Sequence, residues 1–91
     1  MMKPSTCPVL RLHDIESVAA LIARGIAPTA TEWAPDGERC YFVFRDEPMV
    51  SEVLGDFTAG RLTLEASAAF RAFRAARRVL RGAVDRRGPR R

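Results

Sequence analysis

Between Arg39 and Arg45 the chain places Cys40, Phe42 and Phe44 on one side of an extended segment and Tyr41 and Val43 on the other. Side chains alternate across a strand, so a run that is apolar on both faces belongs in the middle of a sheet, with a neighbour on each edge. Thr29 to Trp33, rich in β-branched and aromatic residues, supplies the first neighbour. The two runs are joined by Ala34, Pro35, Asp36, Gly37 and Glu38, a composition that marks a turn, so a β-hairpin is expected. Two strands alone are marginal in water, and a third is expected from Val9 to Leu12 or from Arg61 to Leu64.

The helices that would cover such a sheet are legible from spacing and caps. Asp14 is a good N-cap, Ile15, Val18, Ala19 and Ile22 recur at helical spacing, and Gly25 is a stop, which predicts a helix over 14–24. Asp46 or Glu47 caps a second helix with Pro48 in its first turn, where a missing N–H does no harm. Val50, Val53, Leu54 and Phe57 form its apolar stripe and Gly60 closes it. An Ala-rich third helix is expected from Glu65 to about Arg81, with Thr63 as a cap and Gly82 near its end. The expected fold is a small single α+β domain in the order α-β-β-α-α, with a short antiparallel sheet packed against helices. Residues 1–8 read as an irregular lead-in, 9–82 as the domain and 83–91 as a flexible basic tail. Ninety-one residues suffice for one modest core.

Charge is divided along the chain. Residues 1–60 hold five basic and nine acidic side chains, and residues 61–91 hold ten arginines against Glu65 and Asp85, so a segment of net −4 is joined to one of net +8. At 3.6 residues per turn, Ala66, Phe70, Phe73, Arg77, Leu80 and Val84 share one side of the third helix, which is expected to bury both phenylalanines. Arg71, Arg74, Arg78 and Arg81 form a cationic stripe beside it, with Arg77 bordering both. The remaining arc, Ala68, Ala72, Ala75 and Val79, is small enough for another helix or surface to approach closely. The stripe, continued by Arg86, Arg87, Arg90 and Arg91, fits a phosphate backbone or an acidic protein surface as well as a solvated face. It lacks interleaved Asn, Gln or aromatic residues, so any nucleic-acid binding is expected to be weak in sequence preference. A Gly-containing connection before an Arg-rich helix also permits a helix-turn-helix, although Thr58 to Thr63 is long for its turn.

No constellation for chemistry is visible. His13 is the single histidine, and neither Cys7 nor Cys40 stands at metal-ligand spacing to it. No serine lies in a nucleophile-elbow context and no Gly-rich loop could cradle a phosphate. Trp33, Tyr41, Phe42 and Phe44 are expected to serve packing, and Asp46, Glu47 and Glu32 caps or turns. The expectation is therefore a non-enzymatic protein with no cofactor and no metal. The segment before Arg11 has no apolar core of secretory length and no run approaches the ~20 apolar residues of a membrane span, so a cytoplasmic location with reduced thiols is expected and no membrane partner.

The run from Tyr41 to Val50 (Tyr-Phe-Val-Phe-Arg-Asp-Glu-Pro-Met-Val), followed by Val53-Leu-Gly-Asp-Phe, Ala59-Gly-Arg-Leu and then Phe70, Phe73 and Leu80, resembles a family of short uncharacterised bacterial and phage proteins. Leu21-Ile-Ala-Arg-Gly is similar to that family's Leu-rich helix ending in glycine. The resemblance implies a fold and a bacterial or phage setting, with no activity attached; the basic tail departs from it. Two functions are expected on these grounds. The first is an accessory protein that binds nucleic acid through the Arg-rich helix and tail. The alternative is a protein-interaction module, or a small regulator of phage or mobile-element origin, that docks on an acidic protein or forms a homodimer through the Ala arc and exposed apolar residues.

Overall fold

Val9–Leu12 (β1), Ala30–Trp33 (β2) and Cys40–Arg45 (β3) form one antiparallel sheet in the order β1-β3-β2 in the computed structural model, which describes residues 8–87. The two-faced apolar run is thus the central strand, and the third strand is Val9–Leu12; Arg61 to Leu64 stays outside the sheet. Leu10 lies opposite Phe44, Leu12 and Thr31 opposite Phe42, and Trp33 opposite Cys40. Directly paired side chains share a face, so these residues form the face turned to the helices. Phe42 and Phe44 are fully enclosed there. On the opposite face Arg11 and Glu32 reach across the central strand, Nε to Oε1 at 2.8 Å, and flank Val43, which is 4% exposed. Each partner of that ion pair is about half exposed, so solvent screens it and it adds little to stability.

Three helices complete the fold: Ile15–Ala23 (α1), Pro48–Thr58 (α2) and Ala66–Arg87 (α3). Asp14 caps α1 by accepting the Ser17 N–H at 3.0 Å. Gly25, at φ +85°, turns the chain so that the Ile26 N–H reaches the Leu21 carbonyl at 2.9 Å. Glu47 is the N-cap of α2 and Pro48 stands in its first turn, but no side chain bonds the cap. Residues Val18, Ala20, Leu21, Phe42, Phe44, Val50, Val53 and Ala76 form one core cluster, to which all three helices and β3 contribute. The chain measures 44 × 40 × 18 Å, the thin dimension fitting one sheet layer and one helix layer.

α1 packs against both other helices, most extensively against α3, and α2 and α3 have little direct contact. Helix-turn-helix geometry needs its two helices packed on each other, so α2 and α3 do not form that motif. The rotation of α3 also differs from the expected one. Its buried residues are Ala72, Ala76 and Ala83, with Val79 and Leu80 packed at the margin, while Phe70 is 64% and Val84 47% exposed. Both helices bring small buried side chains to the interior, Ala19 and Ala20 from α1 and Ala72 and Ala76 from α3, with Phe73 half-buried beside Ala19 and Ala20. Of the expected Ala arc, Ala72 is buried against the rest of the fold, while Ala68, Ala75 and Val79 are half-buried.

α3 also continues through Gly82 to Arg87, past the expected stop. Glycine inside a helix costs about 1 kcal/mol relative to alanine. Here Ala83 is buried just beyond it, so the last turn is held by tertiary contact; the Arg86 side chain, one turn on in the same helix, lies 3.3 Å from where a Gly82 Cβ would stand.

These packing roles separate two substitutions that hydrophobicity alone would rank the other way. Ala76→Leu, at a fully enclosed position, is expected to destabilise the chain by about 1–3 kcal/mol through overpacking of the α1–α3 contact. Phe70→Ala, at an exposed position, is expected to stay within about 0.5 kcal/mol of the parent. Urea unfolding midpoints of the two variants check the rotation of α3.

Candidate functional site

Burying the alanine side of α3 turns the opposite side outward, and that side carries the arginines. Arg71, Arg74, Arg77, Arg78 and Arg81 are all exposed. At about 100° per residue they occupy an arc of about 120°, repeating every three or four residues, which is about 5 Å along the axis. The expected stripe is therefore present, and Arg77, expected on the border of a buried side, belongs fully to it. Arg74, Arg77, Arg78 and Arg81 alone line an open groove of about 310 Å³.

Counter-charge is sparse on this face: Asp85 is its one acid, and it forms no ion pair with the stripe. The ion pairs among the described residues are Arg11 with Glu32 and Arg61 with Asp56, and none involves an arginine of α3. Asp85 is the single acid on α3, and it joins Arg77, Leu80, Arg81 and Val84 around a shallow depression further along the helix. Five guanidinium groups on successive turns repel one another by a few tenths of a kcal/mol per pair at i,i+3 or i,i+4 spacing. A polyanion or a cluster of carboxylates brought to this face would remove that repulsion.

The last two helical arginines are used differently. Arg86 Nη2 donates to Thr31 Oγ1 at 3.3 Å, and the Arg87 guanidinium carbon lies 4.0 Å from the centroid of the Trp33 ring. Both partners are on β2, on the face turned to the helices, so Arg86 and Arg87 fasten the end of α3 to the sheet. Both belong to the expected basic site, and in this structure they meet β2 while the other five arginines face outward. Arg90 and Arg91, the rest of the expected basic site, lie outside the described residues. Cys40, directly across from Trp33, is a buried free thiol. Burial pushes its pKa up, against a smaller downward pull from Arg86 and Arg87. Cys7 lies outside the described residues.

Phe70 is the residue that sequence reasoning placed in the wrong environment. It was expected in the core with Phe73, yet it stands outside the core cluster and among the arginines, within about 40° of Arg74, Arg77 and Arg81 around the axis. The cationic face therefore has an aromatic side chain in it. The signal available in the sequence was the clash between two arcs, one of phenylalanines and one of alanines, that could not both face α1.

Elsewhere, no group of three or more His, Cys, Asp or Glu side chains converges among the described residues. His13, the one histidine, is exposed and meets the Tyr41 ring edge-on at 6.0 Å between centroids. No helix among the described residues is long and apolar enough to cross a membrane. No protein-family model matches the chain, and no curated protein or solved structure matches it either.

If Arg87 and Trp33 anchor α3, the pair should show coupling. Arg87→Ala, Trp33→Leu and the double variant, compared by chemical denaturation, are expected to give an interaction energy of about 0.5–1 kcal/mol, the range of an exposed cation–π contact. Additive effects would show that the end of α3 is not held there.

Proposed function

We propose that this chain is a non-enzymatic accessory protein that binds nucleic acid through the outward face of α3, using Arg71, Arg74, Arg77, Arg78 and Arg81 as phosphate ligands. The observation that carries the reading is one continuous cationic face whose five guanidinium groups have no carboxylate partner among the described residues. A phosphate backbone is a regular row of negative charge, and a helix that repeats arginine every three or four residues meets it with a regular row of forked donors. All five are arginine, which pairs with phosphate bidentately and keeps its charge at any physiological pH. No Asn or Gln stands among them to read base edges, so the reading is of weak binding without base specificity. The setting proposed is the cytoplasm of a bacterium or its phage, where nucleic acid is accessible and a free thiol such as Cys40 persists.

A truncation at Gly82 would cut α3 inside the fold, so substitution is the test. Full-length chain and a variant carrying Arg71→Gln, Arg74→Gln, Arg78→Gln and Arg81→Gln are titrated with labelled DNA and RNA over a salt series. Glutamine forms helix well and these positions are exposed, so circular dichroism is expected to be unchanged. With five phosphates neutralised, log affinity for duplex should fall with log salt at a slope of about −4, and the variant should bind at least tenfold more weakly with a slope near −1. Equal binding by the two proteins, or salt-insensitive binding, overturns the reading.

A further inference from the structure

We infer that the α3 face selects single-stranded over double-stranded nucleic acid, with Phe70 as a platform on which an unpaired base stacks. The inference rests on the nucleic-acid reading above and adds to it the form of the ligand. Its ground is the position of Phe70: 64% exposed, part of neither the core nor the residues packed against it, and flanked around the axis by Arg74, Arg77 and Arg81. An arginine row alone treats single strands and duplexes as rows of phosphate. A bare phenyl ring does not. In a duplex the base faces are already stacked on one another, and a ring outside the helix cannot reach them without unstacking a step. In a single strand each base offers a free π-face, and the stacking energy is nearly independent of which base is presented.

The geometry suits that use. Arg74 follows Phe70 by one helical turn and Arg77 by two, so a strand whose phosphates run along the arginines carries its bases toward the side of the helix where the ring stands. Phe73 and Leu80, further round the helix, are half-buried against α1 and the core, so Phe70 is the aromatic side chain of α3 that stands free of the fold. A second copy of the chain is a poorer occupant. Two α3 helices paired about a two-fold axis on this face would set five arginines against five more, with Asp85 the only acid on either helix. An acidic protein would satisfy the arginines, but leaves the exposed ring without a designated partner.

The test compares full-length protein, Phe70→Ala and Phe70→Trp in binding to a fluorescent oligothymidine and to a hairpin duplex carrying the same number of phosphates, at several salt concentrations. The parent is expected to favour the single strand. Phe70→Ala should lower the ratio of single-strand to duplex affinity about tenfold, the effect of losing one stacked base, and Phe70→Trp should keep or raise it. The salt slope should be the same in all three, since the arginines are intact. Salt-dependent binding with no single-strand preference, or with a ratio that Phe70→Ala leaves unaltered, overturns the stacking inference and leaves the arginine reading standing. Absence of binding to both nucleic acids at low salt overturns both. Polyglutamate that displaces the oligothymidine at equal charge concentration also overturns the inference, in favour of an acidic protein. So does sedimentation in which Phe70→Ala dissociates a dimer of the parent, which would assign the ring to self-association.

Discussion

The packing of α3 on α1 decides how the rest of the molecule is presented. Ala19 and Ala20 on one helix and Ala72 and Ala76 on the other are all buried, and that contact sets the rotation of α3 about its own axis. A helix has one rotational freedom once its path is given. Choosing the alanine side for the interior sends the opposite side into solvent, whatever its hydrophobicity. Phe70 and Val84 are exposed because of Ala72 and Ala76, and the five arginines fan outward for the same reason.

The sheet was the most legible part of the chain because alternation in β3 admits a single interpretation. Phe42 and Phe44 on one face and Val43 on the other require strands on both edges, and β1 and β2 provide them. Which segment supplied the third strand was open: Val9–Leu12 and Arg61 to Leu64 have similar composition, and neither propensity nor length separates them. The limits of α1 were readable because Asp14 and Gly25 act through local hydrogen bonds, which involve only nearby residues.

α3 was legible as a helix and illegible in its environment. Both its sides are plausible interiors, one by hydrophobicity and the other by size, and the choice depends on what α1 presents, a non-local fact. Its end was obscured for a related reason. Gly82 is a stop signal in an isolated helix, while Arg86 on Thr31 and Arg87 over Trp33 supply contacts from β2 that no local pattern contains. The arginine stripe survived this uncertainty because its periodicity is intrinsic to the helix. Arg86 and Arg87, continuous with it in sequence, meet Thr31 and Trp33 on β2.

The separation of Arg86 and Arg87 from the other five gives the site its directionality. A cationic helix with no fixed end would swing and would lose part of its binding energy to ordering on contact. Here the last turn is tied to β2 and the middle is packed on α1, so the five outward guanidinium groups are mounted on a backbone that does not have to be ordered by the ligand. The outward face of α3 thus combines five guanidinium groups on a helix held at both its middle and its end with two exposed apolar side chains, Phe70 and Val84.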